Sequence, residues 1–302
     1  MREQPNHAFE SGPHSAAAQR ELLESSDRLG KGGAVKNTLR PIILIIPIVG
    51  ALVAGCGSAP VTPSPEARRA LAPSGKLRVG LSLGTPGMMI RDPASGETKG
   101  VGYELGKELA RRLGVPFEPV ILGGNPQILE ALKSGQVDIA FTGATPARAK
   151  DMDFSPPYLE IEDGFLVSAG STISTMADVD QAGIRVGVTR GSTSDGKFSR
   201  ELKNAVVVRA STINDAIEMV VSRQVDTFAT NKAFLFKMSD KLPGSRILDG
   251  RYGVEQVSIA IPKGRDPGMP FVREFVEEAK SNGLVRAAAQ RAGLRGTVKE
   301  SQ

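Results

Sequence analysis

The sequence predicts an α/β protein of two lobes, each a doubly wound parallel sheet, and two internal repeats carry this prediction. Residues 77–84 (LRVGLSLG) and 184–191 (IRVGVTRG) are short aliphatic runs ended by glycine, which is typical of buried strands followed by a turn. Residues 128–142 and 216–230 each join an amphipathic helix to a strand, and they share six of fifteen residues at a constant offset of 88. Strands that alternate with helices favour parallel sheets covered on both faces.

The segments between the repeats supply the other elements of each lobe. Leu105, Leu109 and Leu113 are spaced by four residues, so residues 103–113 are predicted to form an amphipathic helix that ends at Gly114. Further strands are predicted at 117–122, 205–209 and 257–261, and further helices at 194–202 and 270–292, the last broken near Gly283.

The helix of the first repeat has signals at both ends, with Asn125 predicted as its N-cap, Pro126 at its first position and Gly135 after its end. In doubly wound sheets, ligands bind beyond the carboxyl ends of the strands. A cleft between the two lobes is therefore the expected binding site. The segments predicted to line it are 82–89, 142–148, 190–195 and 230–232.

The inventory of reactive side chains excludes several classes of enzyme. The 302 residues include one cysteine, Cys56, which leaves no intrachain disulfide, and two histidines, His7 and His14. Both histidines precede a segment that we predict to be removed, so a Ser-His-Asp triad and a histidine-ligated metal are not expected. The net charge of +5 is small and dispersed, which argues against nucleic-acid binding.

The first 55 residues carry the features of a disordered tail followed by a secretory signal. Lys36 and Arg40 precede an apolar run at 42–53, which is shorter than the roughly 20 residues of a membrane span. Residues 52–56 (LVAGC) resemble the bacterial lipobox, a likeness that implies cleavage before Cys56 and its acylation. Residues 56–73 begin with a stretch rich in Gly, Ser and Pro, and they are predicted to form a flexible tether.

Residues 74–295 resemble the polar amino-acid type of bacterial extracellular solute-binding proteins, in its lipoprotein form. The resemblance rests on ordered pieces of sequence: 76–80 (KLRVG), the helix at 100–113, 132–138 (LKSGQVD), 145–148 (TPAR), 152–158 (MDFSPPY), 185–188 (RVGV) and 191–193 (GST).

The resemblance implies the hinged two-lobe fold of the type II periplasmic binding proteins. Lobe 1 is then expected at 74–166 plus 260–302 and lobe 2 at 167–259, joined by crossover strands near 164–169 and 257–262. It further implies closure of the lobes over a small solute, delivery to an ABC permease, no cofactor, a monomer, and a lipid-anchored position on the periplasmic or extracellular face of a membrane.

The same resemblance identifies a carboxylate site. In the family, the arginine at the position of Arg148 forks onto the ligand carboxylate, because a planar guanidinium offers two parallel charge-assisted hydrogen bonds. Gly191, Ser192 and Thr193 follow a strand and open a helix, so their N–H groups and hydroxyls are expected to form the second-lobe half of this site. A plain helix N-cap role for these residues is compatible with ligand binding.

Other positions agree with the family only in part. Thr142 and Gly143 occupy the first-lobe rim, where their backbone groups are expected to orient the ligand. Typical members hold the ligand's ammonium group with an aspartate where this chain has Asn231, and a second acidic position is Gly102 here. Because an amide cannot neutralise a buried ammonium group, we expect a small carboxylate or other anion without one.

Three carboxylates keep a zwitterionic, amino-acid-like ligand open as an alternative. Asp195, Glu160 or Glu162 would compensate an ammonium group if its side chain pointed into the cleft, whereas each is otherwise part of a solvated face. Met88 and Met89 stand where the family has a stacking aromatic residue, and they predict a soft, adaptable wall.

The sequence is also compatible with two other functions. A few proteins of this fold are periplasmic dehydratases of cyclohexadienyl-type acids, and such chemistry needs a general acid with a raised pKa, for which Glu160 and Glu162 are the nearest candidates. The second alternative is a ligand-sensing lipoprotein that does not transport.

Overall fold

The strands and helices of the folded part lie close to the predicted ones in a computed structural model, which describes residues 62–298. The predicted signal segment, Cys56 and the start of the predicted tether lie outside the described residues. The strand predicted at 117–122 has those bounds in the structure. The strands are β1 (Leu77–Ser82), β2 (Ile90–Arg91), β3 (Thr98–Lys99), β4 (Phe117–Leu122), β5 (Ile139–Gly143), β6 (Met152–Phe154), β7 (Leu159–Val167), β8 (Arg185–Thr189), β9 (Val206–Ala210), β10 (Thr227–Asn231), β11 (Arg246–Ile247) and β12 (Gly253–Pro262).

The helices cover the strands on both faces, and short 3₁₀ turns occur at Arg148–Lys150, Met176–Asp178 and Asp266–Gly268. The break predicted near Gly283 in the last helical segment is confirmed, because Gly283 adopts a left-handed conformation between two helices. The α-helices are α1 (Pro65–Leu71), α2 (Val101–Leu113), α3 (Asn125–Lys133), α4 (Thr193–Glu201), α5 (Ile213–Val221), α6 (Lys232–Ser239), α7 (Met269–Ser281) and α8 (Leu284–Arg291).

One mixed sheet runs through both lobes in the order β4-β1-β5-β12-β7-β10-β8-β9. The strands β4, β1 and β5 are parallel, and the part of the chain built on them is lobe 1. The strands β10, β8 and β9 are also parallel, and they define lobe 2. The α/β fold class with two doubly wound lobes is therefore confirmed.

The strands β7 and β12 join the two lobes, and we call them the hinge strands. They pair with each other antiparallel from Leu159 opposite Val257 to Asp163 opposite Gly253. This ladder explains why both strands begin earlier than predicted, at Leu159 and Gly253, since each extends outward along its partner. Beyond the ladder, β12 pairs with β5 of lobe 1 and β7 pairs with β10 of lobe 2.

The core of lobe 1 shows how the amphipathic pattern fixes a helix on the sheet. Leu105, Leu109 and Leu113 of α2 are at most 1% exposed and pack in one cluster with β1 and with α7, which contributes Phe275. Burial of each leucine contributes about 1.5–3 kcal/mol relative to an exposed side chain. Gly114 ends the helix in a left-handed conformation, as predicted.

A helix occupies residues that were assigned to the flexible tether. Ser64 Oγ accepts a hydrogen bond from Ala67 N–H and Pro65 stands at the start of α1, so the residues that suggested a linker are the cap and first turn of a helix. Leu71 at its end is fully buried. It packs on Gly268, where an added Cβ would lie 2.5 Å from Leu71 Cγ. None of the described helices is long and apolar enough to span a membrane.

Candidate ligand-binding cleft

A cavity of about 130 Å³ lies between the lobes, at the carboxyl ends of the parallel strands and against the hinge strands. All four segments that were predicted to meet in the cleft contribute to its wall. Their contributions are Ser82, Thr85, Gly87 and Met88 from the first, Thr142 and Arg148 from the second, Ser192 and Thr193 from the third, and Thr230 and Asn231 from the fourth. The structure thus brings the predicted segments together, while their role in binding stays a prediction.

Arg148 is buried beside this cavity, with 8% of its surface exposed. Its Nη1 donates to Thr142 Oγ1 at 2.9 Å and to the Gly143 carbonyl at 2.7 Å, and its Nη2 donates to the Gly191 carbonyl at 2.8 Å. These acceptors are neutral, and within residues 62–298 no carboxylate forms an ion pair with Arg148. Burial accordingly lowers the pKa of the guanidinium, and the negative charge of Glu255 opposes that shift.

A hydrogen bond from Thr142 to Asn125 holds the Thr142 hydroxyl to which Arg148 donates. Thr142 Oγ1 donates to Asn125 Oδ1 at 3.1 Å while it accepts from Arg148, so the three polar groups form a chain from lobe wall to cavity. The prediction that Asn125 is the N-cap of α3 is therefore wrong. The helix begins at Asn125 with Gly124 as the capping residue, because the Asn125 side chain is held by Thr142.

The two predicted glycines contribute carbonyl groups to Arg148, and their Cα positions explain why they are glycines. A Cβ on Gly143 would lie 3.1 Å from Glu255 Oε1 and 3.3 Å from Thr193 Cγ2, which leaves no room for a side chain. Gly191 has a φ of 67°, a left-handed conformation that turns the chain from β8 into α4. Gly143 thereby allows close approach of Thr193 from lobe 2, whereas Gly191 serves the turn.

The start of α4 presents polar groups from lobe 2. Ser192 is the N-cap and its Oγ accepts from Asp195 N–H at 3.0 Å, so the N-cap interpretation of this residue is correct. Thr193 is the first helical residue and lines the cavity. First-turn amides have no intrahelical acceptor, and a helix N-terminus favours a negative charge. This end of the cavity is suited to an anion.

Glu255 places a carboxylate in the cavity wall, opposite the polar edge of lobe 2. Its Oε2 accepts from Asn231 Nδ2 at 2.8 Å, while Asn231 Oδ1 caps α6 by accepting from Phe234 N–H at 3.1 Å. Glu255 was not among the predicted site residues, because its strand was predicted to begin at residue 257. Strand alternation from Val257, which also lines the cavity, would have placed residue 255 on the same face. The expectation of a pocket without an acidic group therefore does not hold.

The three carboxylates that were considered for this role lie elsewhere. Asp195 accepts from Arg209 Nε at 2.8 Å and from Gly191 N–H at 2.9 Å, behind the cavity wall. Glu160 accepts from a glutamine on the outer face of the hinge, and Glu162 pairs with Lys232 at 2.7 Å. Residues 160 and 162 share one face of β7, and the opposite face carries Ile161, which lines the cavity.

The wall of lobe 1 is apolar around Gly102. A Cβ on Gly102 would lie 3.0 Å from the ring of Phe141 and 3.2 Å from Leu81, so this position has no space for a carboxylate. Phe141 itself lines the cavity, together with Met88. Met89, in contrast, is buried in the lobe 1 core.

The lobes touch across the cleft in this structure. Besides the bond from Arg148 to Gly191, Ile213 N–H donates to the Gly123 carbonyl and Gln127 Nε2 donates to the Ser211 carbonyl, each at 3.4 Å. The last two bonds are long, so the contact that closes the cleft is dominated by Arg148.

Comparison with known proteins agrees with this architecture. The chain is 25% identical over 245 residues to the ABC transporter glutamine-binding protein of Bacillus subtilis, spanning 77% of this chain and 88% of that protein. It is 27% identical to the membrane-bound lytic murein transglycosylase F of Ectopseudomonas mendocina, over 80% of this chain but half of that enzyme. The crystal structure of an ancestral amino acid-binding protein, a precursor of cyclohexadienyl dehydratase, superposes with a TM-score of 0.64 at 25% identity, covering 74% of this chain and 98% of that one.

The sequence profile of one family matches residues 77–293, which include every helix and strand of both lobes described above except α1. The chain therefore belongs to family 3 of the bacterial extracellular solute-binding proteins.

Proposed function

We propose that the protein captures an α-amino acid between its lobes and delivers it to an ABC permease. The observation that carries this proposal is the buried guanidinium of Arg148, which borders the cavity and bonds only to neutral acceptors. A buried charge without a counterion is costly, and a ligand carboxylate removes that cost. Three of the five N–H donors of Arg148 are used in these bonds, so the others are available to a carboxylate.

The start of α4 supports the same position for the carboxylate. Arg148 reaches across to Gly191, next to Ser192 and Thr193, so a carboxylate on the guanidinium also meets the helix N-terminus. Charge-assisted hydrogen bonds from both lobes to one anion favour the closed cleft. Ligand binding is thereby coupled to closure about the hinge strands.

The carboxylate of Glu255 supports a ligand that carries an ammonium group. Glu255 stands in the same cavity as Arg148 and is oriented by Asn231. In this arrangement Asn231 does not bear the charge that relatives place at this position. It holds a carboxylate that the hinge strand supplies, so the acidic partner of the ammonium group has moved from lobe 2 to the hinge.

The family supports the proposed partner and location. Proteins that close over a solute present a different surface to a permease in the closed and open states, and the two hinge strands are the connections about which such a motion would occur here. We further propose that Cys56 carries a lipid that holds the protein on the outer face of a membrane. Mass spectrometry of the protein purified from a bacterial membrane tests this, since acylation adds the mass of the lipid to a peptide beginning at Cys56.

A thermal-shift screen with matched ligands tests the binding proposal. The panel contains L-amino acids, their carboxamides and the corresponding acids that lack the amino group. Ligands that bind only the folded state raise the melting temperature by mass action. We expect shifts with amino acids alone. A shift with the amine-free acids would restore the preference for simple anions and contradict the role of Glu255, and no shift with any carboxylate would contradict the role of Arg148.

A second candidate function is dehydration of a cyclohexadienyl-type acid. Glu160 and Glu162 do not reach the cavity, so a general acid would have to come from the hinge strands. Asp163, near the cavity, is favoured by its pKa, which burial and the charge of Glu255 raise to about 7. Incubation with arogenate or prephenate tests this candidate, because aromatic product would appear only if the protein is an enzyme.

A further inference from the structure

Asp163 lies in the middle of the hinge strand β7, and no cation among residues 62–298 forms an ion pair with it. It is 6% exposed, and its Oδ1 is completely buried without a hydrogen-bond partner among residues 62–298. A buried carboxylate left unpaired is expensive, so a group with this environment requires either a proton or a cation. Neither the ion pairs nor the hydrogen bonds of the fold described above use this side chain.

The strand register places Asp163 on the face of the sheet that borders the cavity. It lies opposite Asn231 of β10 on one side and opposite Gly253 of β12 on the other. Ile161, two residues earlier on the same face, lines the cavity, as do Asn231 and Glu255. Gly253 makes room for the Asp163 carboxylate, since a Cβ there would lie 3.1 Å from Asp163 Oδ2.

The charged groups around Asp163 are one carboxylate and one ammonium group. Glu255 on β12 is its diagonal neighbour across the hinge ladder, a position about 7–8 Å away in such sheets. Lys197 on α4 is the cation whose charge favours the ionised form, but its Nζ is bound to Glu201 at 2.7 Å. The third titratable neighbour is Tyr252, which precedes β12 and is affected by the charge of Asp163. Burial and the charge of Glu255 raise the pKa of Asp163 to about 7.

A charge balance of the cavity shows what is missing. Arg148 matches the carboxylate of an amino acid and Glu255 matches its ammonium group. Asp163 is then left over, next to Asn231 and two residues from Ile161, both of which line the cavity. A neutral side chain on the ligand would leave this carboxylate buried and unpaired, whereas a positively charged side chain would neutralise it.

We infer that Asp163 forms a second cation subsite at the hinge, so that the preferred ligand is an amino acid with a positively charged side chain. This inference rests on the proposed function, since it assumes that the carboxylate and ammonium groups of the ligand occupy Arg148 and Glu255. The side-chain cation then lies beside Asp163. Replacement of Gly253 by a larger residue would crowd the Asp163 carboxylate.

Calorimetric titration with matched ligands tests the subsite. The probes are L-arginine and L-ornithine, with L-citrulline as the neutral match. We expect at least one cationic probe to bind about 10- to 100-fold more tightly than citrulline, the range given by one hydrogen-bonded charge pair. In Asp163→Asn this preference should fall to less than threefold. Glu160→Gln removes a carboxylate from the outer face of the same strand and should keep the preference.

A measurement on the unaltered protein keeps the test independent of how the variant folds. At pH 7 a carboxyl group with a pKa of about 7 is about half protonated, so a cationic ligand should release about half a proton on binding while citrulline releases none. Titrations in phosphate and Tris, which differ in ionisation enthalpy, report this proton.

The outcomes separate the two proposals. Equal binding of citrulline and of both cationic probes, or a preference that persists in Asp163→Asn, would overturn the subsite and leave the proposed function standing. Failure of every α-amino acid to bind would overturn the proposed function itself, and the subsite with it.

Discussion

The two lobes hold their parallel strands with the same device. In lobe 1 the backbone N–H and the Nε–H of Arg78 donate to Asp138 Oδ2, both at 2.9 Å. In lobe 2 the same two groups of Arg185 donate to Asp226 Oδ2, at 2.8 and 3.0 Å. We call each of these pairs an arginine–aspartate clamp. The two aspartates are related by the 88-residue repeat, so the clamp is part of what the duplication preserved.

The clamps differ in their surroundings. The side chain of Asp138 is fully buried and accepts a further bond from Arg265 Nη1 at 2.7 Å, which ties the segment before α7 to lobe 1. The side chain of Asp226 is 32% exposed, and no second guanidinium bonds to it in the described residues. The same pair of residues is thus a buried network in one lobe and a surface feature in the other.

The comparison shows which repeated residues are structural and which face the ligand. The clamps lie at the amino ends of the strands, away from the cavity. The last residue that the repeats share, Thr142 in lobe 1 and Thr230 in lobe 2, lies at the carboxyl end and lines the cavity. The charge in the cleft is not repeated, since Arg148 comes from lobe 1 alone.

Removing the charge of each clamp aspartate should have the largest effect on stability, and the size of the effect should differ between the two lobes. Asp138→Asn leaves Arg78 and Arg265 without an anion in a buried place, and we expect a loss of about 3–5 kcal/mol in the free energy of unfolding. Asp226→Asn should cost about 1 kcal/mol or less, because exposed pairs contribute little. Urea unfolding measures both values. Equal losses would show that burial does not distinguish the clamps.

The asymmetry of charge predicts a second difference between the lobes. Arg148→Lys keeps the charge but not the planar fork, and we expect about a 100-fold loss of affinity for the amino acid that binds best, which is about 2.7 kcal/mol. Thr193→Val removes one neutral hydroxyl from lobe 2 and should cost about 2- to 10-fold. Titration calorimetry checks both. A larger loss in the lobe 2 variant would contradict the view that the charge of lobe 1 dominates binding.

The hinge between the lobes should respond to pH. The pKa of Asp163 is about 7 in the folded protein, above the usual value of about 3.9 in an unfolded chain. Between these values the folded state keeps a proton that the unfolded state has released, so the stability falls as the pH rises from about 4 to about 7.

Asp163→Asn removes this dependence. The unliganded variant should match the wild type at pH 4 and exceed its free energy of unfolding by about 4 kcal/mol at pH 8, because each pH unit between the two pKa values corresponds to about 1.4 kcal/mol. Denaturant unfolding across this range tests the sign. If Asp163→Asn were instead less stable than the wild type at pH 8 but not at pH 4, the ionised Asp163 would have a stabilising partner.

The smallest expected effects concern the first turns of two corresponding helices. Thr212 caps α5 of lobe 2 in a capping box with Asp215, so Thr212→Ala should cost about 1 kcal/mol of stability. Asn125 begins α3 of lobe 1, but its side chain accepts from Thr142. Asn125→Ala should therefore lower ligand affinity more than stability. Thermal unfolding and calorimetry of both variants check this contrast, which fails if Asn125→Ala destabilises the protein without affecting binding.

Much of the fold was accessible from the sequence, because its signals are local. The spacing of Leu105, Leu109 and Leu113 specifies one buried helical face, and the glycines at 84 and 191 mark the turns after the two repeated strands. Arg148 and residues 191–193 were placed in the cleft for the same reason, since the carboxyl end of a strand followed by a helix is a recognisable position. The helix α1 was missed because Ser64 and Pro65 are equally typical of a linker and of a helix start.

The acidic side of the cavity was not accessible, because it depends on strand register. On β7 the candidates Glu160 and Glu162 point outward, while Ile161 and Asp163 face the cavity, and a shift of one residue exchanges the two sets. Glu255 depended on the true start of β12, which the pairing with β7 sets. These contacts are long-range, so no local pattern reports them.

The pairing of the hinge strands has a consequence for the gene as well as for the protein. The chain enters lobe 2 through β7 and leaves it through β12, and these strands are hydrogen-bonded neighbours, about 4.8 Å apart. Lobe 2 is in this sense a cassette whose two ends meet. Its exchange for the corresponding lobe of a relative requires two joints in one ladder, and it would retain Arg148, Asp163 and Glu255 while replacing Thr193 and Asn231. Recombination at these joints would change the ligand without rebuilding the hinge.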